Sequence, residues 1–183
     1  MHRSGHWGLA LLCYSPIVFW ALSKDIASLP LVVAGGVVTS SLCMLPDADQ
    51  WLPIVSHRGA THTVWFTLLV GGLLGGGAFM LVQGAGQTML NEWISSQTLF
   101  GQPLAVAVGW FFGVTGALVI VSHLLGDWLT KMGIQPWAPL WSHKHCLGLI
   151  YADNMIANGL FNALGAIAIV ASFVLGTDLL QYV

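Results

Sequence analysis

Along the chain, long uncharged apolar runs alternate with short polar breaks. Five runs stand out, at 7–23, 29–45, 63–84, 103–125 and 156–176, and none contains Asp, Glu, Lys or Arg. Each is near the roughly 20 residues that a helix needs to cross about 30 Å of hydrocarbon. The pattern predicts an all-α fold, an integral membrane bundle of about five transmembrane helices forming one membrane domain over 1–183. The first two runs are short and are expected to tilt little. The first follows Met1-His2-Arg3 as a signal peptide would, but no small-residue cleavage site precedes the next apolar run. It is expected to stay as a membrane helix. Between the runs lie a tight turn at Lys24-Asp25, a polar loop over 46–62, a segment over 91–102 and a long loop over 127–155.

Composition strengthens this picture. Only 7% of the 183 residues are charged and 56% are hydrophobic, against about a quarter charged in a typical soluble protein. With a mean hydropathy of +0.80, lipid rather than a polar shell must hide the apolar surface. A net charge of -2 gives no basic face, so composition implies no nucleic-acid partner. Cys13, Cys43 and Cys146 lack CxxC spacing and read as small buried hydrophobes. Gly71-Gly72, Gly75-Gly76-Gly77 and the Gly109/Gly113 pair read as close helix packing rather than a phosphate-binding loop. Trp51, Trp65, Trp93, Trp128, Trp137 and Trp141 lie near span ends, where aromatic rings anchor to the membrane interface.

Five crossings put the N-terminus and the 46–62 and 127–155 loops on one side, and Lys24-Asp25, the 91–102 segment and the C-terminus on the other. The first side carries Arg3, Arg58, Lys131 and Lys144, the second only Lys24. Positive charge marks the cytoplasmic side, so the expected location is the cytoplasmic (inner) membrane, with the N-terminus inside and the C-terminus outside.

All seven histidines, with Asp47, Asp49, Asp127 and Asp153, fall on that same side. Polar residues that only solvate loops would be shared between the two sides. Instead, metal-ligand chemistry converges from four segments: His6; Asp47 and Asp49; His57 and His62; His123 and Asp127. Bundles build metal sites in this way. The four-residue spacing of His123 and Asp127 puts both on one helical face. Asp47 and Asp49, at an apolar helix end, repel each other unless a cation or Arg58 intervenes. In His57-Arg58-Gly59-Ala60-Thr61-His62-Thr63, Thr61 is the expected N-cap of the third helix. A helix N-terminus helps keep His62 neutral, as a ligand must be. The cofactor expected from this set is a divalent metal, zinc first, with iron or manganese as alternatives. Asp49 or Asp127 would bridge metals or accept a proton, and Arg58 would stabilise charge on a phosphate. His143 and His145 read as interfacial, and His2 as part of a mobile terminus.

The order Gly5-His6, LPDAD over 45–49, HRGATHT over 57–63, SHLLGDWLT over 122–130 and a following Pro-Trp segment resembles the YdjM-like family of predicted membrane-bound metal-dependent hydrolases. The resemblance covers about residues 5–145, the last helix matching only in being apolar. That family is similar in motif layout to the zinc-dependent phospholipase C and single-strand nuclease group. The resemblance implies His6, Asp47 or Asp49, His62, His123 and Asp127 as ligands, with His57 and Arg58 close by. Gln50 departs from the pattern, since many relatives carry a His there. The expected function is a metal-dependent hydrolase at the cytoplasmic interface of the lipid bilayer, acting on a phosphoester, with a lipid head group as a candidate. The alternatives are a metal-binding transport protein and a non-enzymatic membrane subunit.

Overall fold

The computed structural model describes residues 1–51, 58–85 and 96–178. It contains helices α1 (Arg3–Lys24), α2 (Leu29–Leu42), α3 (Val64–Ala85), α4 (Leu104–Leu129) and α5 (Met155–Gly176). Among the described residues, five helical segments are long and apolar enough to cross a membrane; the second reaches that length only as Ile26–Gln50, with 3-10 turns at both ends of α2.

Element ends depart from the hydropathy reading for local reasons. α1 starts at Arg3 rather than 7 and α4 continues to Leu129 rather than 125. A polar residue ends a hydropathy run, but it does not end a backbone hydrogen-bond ladder if the fold satisfies its side chain. Asp127 is buried with Arg58 Nη2 and the Met1 nitrogen on its Oδ1, and His6 is buried with its ring stacked on His123, each residue 1% exposed. α2 stops at Leu42, earlier than 45. There the ladder tightens to three-residue bonds, Leu45 N–H to the Leu42 carbonyl, Asp47 to Met44 and Ala48 to Leu45, because Pro46 disfavours helical geometry just before it. The N-cap of α3 is Thr63, whose Oγ1 accepts from Phe66 N–H at 3.2 Å. Thr61, expected in that role, turns its hydroxyl to Asp49 instead.

α1 and α4 form the interior. α5 packs along α1, α3 along α4, and α2 lies against both α1 and α4. Small residues allow the close approaches: a Cβ on Gly165 would overlap the Gly8 carbonyl, and one on Gly75 would lie 2.9 Å from the Gly109 carbonyl oxygen. One apolar cluster joins Ala10, Cys43, Val70, Val119, Ile120 and Leu124 near the polar end of the bundle. A second, around Tyr14, Val18, Val32 and Phe111, fills the other half. The outer faces of α3 and α5 expose large apolar side chains such as Leu81 and Ile156, the surface expected to face lipid.

A short hairpin, β1 (Thr98–Leu99) and β2 (Gln102–Pro103), precedes α4. The 130–154 connection has little regular structure but is fastened to the end of α4. Leu147 N–H donates to the Trp128 carbonyl at 2.8 Å and Leu149 N–H to that of Leu129 at 3.0 Å.

Candidate metal centre

At the polar end of the bundle, four segments converge. α1 brings His6, the 3-10 turn after α2 (Pro46–Trp51) brings Asp47 and Asp49, and the 3-10 turn Ala60–His62 brings His62. α4 brings His123 and Asp127, one turn apart. One ligand atom from each of Asp47, His62, His123 and Asp127 lies within 4.8 Å of the others.

The separations within this quartet carry chemical information. His62 Nε2 and His123 Nε2 each lie 3.5 Å from Asp47 Oδ1; Asp127 Oδ2 lies 3.5 Å from His62 Nε2 and 3.9 Å from His123 Nε2. Ordinary hydrogen bonds of this type are about 2.7–3.2 Å. Donors about 2.1 Å from one tetrahedral cation would stand about 3.4 Å apart. These groups are therefore spaced as ligands sharing a cation rather than as hydrogen-bonded partners. His123 Nε2 and Asp127 Oδ2 are buried with no hydrogen-bond partner. Buried polar atoms are rarely left so, and a cation between them would satisfy both. A set of two imidazoles and two carboxylates fits zinc, iron or manganese.

The surrounding groups fix the orientation of these ligands. His123 Nδ1 lies 2.7 Å from the Cys43 carbonyl; donation there leaves Nε2 as the lone-pair atom facing the quartet. His62 Nδ1 lies 3.1 Å from Thr61 Oγ1 and 3.4 Å from Asp49 Oδ2. Asp49 Oδ2 in turn accepts from Arg58 N–H and Thr61 Oγ1, both at 2.9 Å. Asp49 thus stands behind His62, outside the quartet. Burial opposes charge on His62, but the neighbouring carboxylates of Asp127, Asp47 and Asp49, which favour the protonated ring, outweigh it and hold its pKa above the ordinary value. The carboxylate environment, not a helix N-terminus, sets the protonation of this ring.

Asp127 faces two ways. Its Oδ2 belongs to the quartet, whereas Oδ1 lies 3.0 Å from Arg58 Nη2, 2.7 Å from the Met1 nitrogen and 3.5 Å from His6 Nε2. Arg58 Nη1 donates to the Gly133 carbonyl at 2.9 Å, and Arg58 Nε is buried without a partner. Arg58 has a positive φ of 61°, a conformation uncommon for a non-glycine residue and here held by contacts at both ends of the residue. His6 sits beside the quartet, stacked on His123 with ring centroids 3.8 Å apart and planes 5° apart. Both of its ring nitrogens lack hydrogen-bond partners.

His57 lies outside the described residues. His143 and His145 do not join the cluster; they form an aromatic group with Trp141, their own centroids 5.1 Å apart. His2 is tied down by its backbone N–H, which donates to Asn158 Oδ1 at 3.0 Å. The sequence reading missed Asn158 and the carbonyls of Cys43 and Gly133, and gave Thr61 the role of a helix cap rather than of a donor to Asp49. An Asn inside an apolar run was the one available signal; backbone carbonyls leave none.

No curated protein and no solved structure matches the chain. The model of one family, described as YdjM inner membrane protein, matches residues 1–181. The match takes in α5, beyond the 5–145 stretch carried by the motifs, and fits a multi-pass inner-membrane location for five apolar spans. With nearly the whole length matched, the chain belongs to the YdjM inner membrane protein family.

Proposed function

We propose that this chain is a membrane-bound metal-dependent hydrolase that cleaves a phosphoester at the cytoplasmic face of the membrane. The supporting observation is the quartet Asp47, His62, His123 and Asp127, whose ligand atoms converge within 4.8 Å. Zinc is the first choice of cation, with iron or manganese as alternatives. When bound, the cation supplies Lewis acidity and a water activated for attack near neutral pH.

The chain's own residues then have separable tasks. Cys43 and Asp49 hold the His123 and His62 rings in register through Nδ1. Asp47, the more exposed carboxylate of the quartet at 15%, accepts the proton of an attacking water. Arg58 fixes Asp127 through Nη2, and N–H groups beyond its bonds to Asp127 and Gly133, Nε among them, are donors for a phosphoryl oxygen. Stabilisation of developing charge by such a preset donor is worth about 3 kcal/mol where measured.

Elemental analysis of the detergent-purified chain beside His123→Ala and Asp127→Ala variants tests the site. Near-stoichiometric metal in the parent, lost in both folded variants, is expected, together with loss of phosphodiesterase or phosphomonoesterase activity on chromogenic esters and short-chain phospholipids. Metal-dependent ion flux into proteoliposomes without hydrolysis would favour transport. A metal-free parent after reconstitution with zinc, iron and manganese would favour a non-enzymatic subunit.

A further inference from the structure

The 130–154 connection exposes a set of side chains that neither the bundle nor the metal cluster uses. Leu140 is 79% exposed, Leu149 70%, Trp141 63%, Tyr151 60% and Trp137 45%. So much apolar surface on one loop is unusual where the surroundings are water. The connection carries two lysines, Lys131 and Lys144, against one carboxylate, Asp153 at its far end. Lys131 Nζ bonds Tyr151 Oη at 2.6 Å and stands 3.8 Å from that ring's centroid. The result is an amphipathic pair with an apolar body and a cationic tip.

The loop's depth is set by its backbone. Hydrogen bonds from Leu147 and Leu149 to the carbonyls of Trp128 and Leu129 hold it level with the end of α4, one end of an apolar helix long enough to cross a membrane. After the exposed polar pair Asp153-Asn154, apolar exposure resumes at Met155 and Ile156 at the start of α5, 86% and 83% exposed. Trp and Tyr with nearby Lys are the residues that settle at the boundary between acyl chains and head groups.

We propose that this loop is an interfacial membrane-binding element, seated in the phospholipid head-group layer of the leaflet that borders the His/Asp cluster. Trp137, Leu140, Trp141 and Leu149 enter the acyl boundary, and Lys131 and Lys144 meet lipid phosphates. The seat does not depend on whether the cluster hydrolyses anything. It does place the cluster beside lipid head groups.

The test uses the full chain with Cys13, Cys43 and Cys146 replaced by Ala, carrying a nitroxide at Leu140→Cys or Leu149→Cys, in vesicles of phosphatidylcholine and phosphatidylglycerol. Both labels are expected to collide severalfold more with oxygen than with a water-soluble nickel chelate. A higher nickel collision rate would put the loop in water and overturn the proposal. Protection from both quenchers would mean that protein, such as a second copy of the chain, covers the loop, and would overturn it too. A readout that keeps the native cysteines is the emission lost on Trp141→Phe. Brominated phospholipid is expected to have already quenched that share in the parent; an unquenched share would count against the seat.

Discussion

Asp127 shows how one side chain serves two environments, with Oδ2 facing the quartet and Oδ1 facing Arg58 and His6. Its loss should therefore cost more than that of Asp49, which lies outside the quartet and supports it through His62, Thr61 and the Arg58 backbone. Asp49→Asn is expected to keep the fold and weaken metal affinity about 10–100-fold, as outer groups around a metal typically do; metal titration of the purified variant reads this. Gly126 tests the packing of the rings. A Cβ there would lie 2.9 Å from His6 Nδ1, and His6 is already stacked on His123. Gly126→Ala should lower both the melting temperature and metal affinity, since the Cβ would also lie 2.9 Å from Met1 Sδ, and overpacking a buried site typically costs about 1–3 kcal/mol, more than the roughly 1 kcal/mol that Ala gains in a helix. His62 gives a pH signature whose sign depends on loading. Its folded pKa is raised above 6.5, so in the metal-free protein its pairing stabilises fully below 6.5 and is lost as pH rises through the raised value. Metal binding needs the neutral ring, so apparent affinity should fall as pH drops through that value. Melting curves with chelator and with zinc across this range should shift in opposite directions.

At the scale of elements, the cluster exists because helix ends meet. α1 brings His6 only if it lies tightly along α5, and Gly165 against Gly8 sets that approach. Gly165→Leu should separate the two helices and lower the melting temperature in detergent, with metal content reduced even though the substitution is far from any ligand. The same change on the open face at Gly72, which meets nothing within 4 Å, should do neither. α4 is the rigid reference, since it carries His123 and Asp127 on one face and contacts α1, α2 and α3. The long connection after it is irregular yet anchored, which holds the Gly133 carbonyl against Arg58.

For the whole molecule, the orientation is an expectation from the sequence: an odd number of crossings would put the two ends on opposite sides of the inner membrane, and four positive residues against one would put the cluster on the cytoplasmic side. A phosphatase reporter fused after residue 183 should be active outside the cytoplasmic membrane, and a reporter active only inside would reverse the orientation. Metal linkage also acts on the molecule as a whole. A cation at 100 times its dissociation constant adds about 2.7 kcal/mol to stability, so chelation should lower the melting temperature of the parent but not of His123→Ala.

Much of this was legible in the chain itself, and physics separates what was from what was not. The bilayer imposes a simple length and polarity rule, so uncharged runs of near-spanning length determined the helical membrane bundle. The one-sided histidines and aspartates likewise marked the face that carries the cluster. Span ends were less legible, because hydropathy registers the polarity of His6 or Asp127 and not the partners that let a helix run through it. Asp47 and Asp49 are chemically alike and two residues apart in sequence. Only tertiary structure decided that Asp47 enters the quartet while Asp49 stands behind His62, and that Arg58 grips Asp127. Those assignments rest on distances of a few ångströms between segments far apart in the chain, set by helix packing and by backbone carbonyls that no residue type announces.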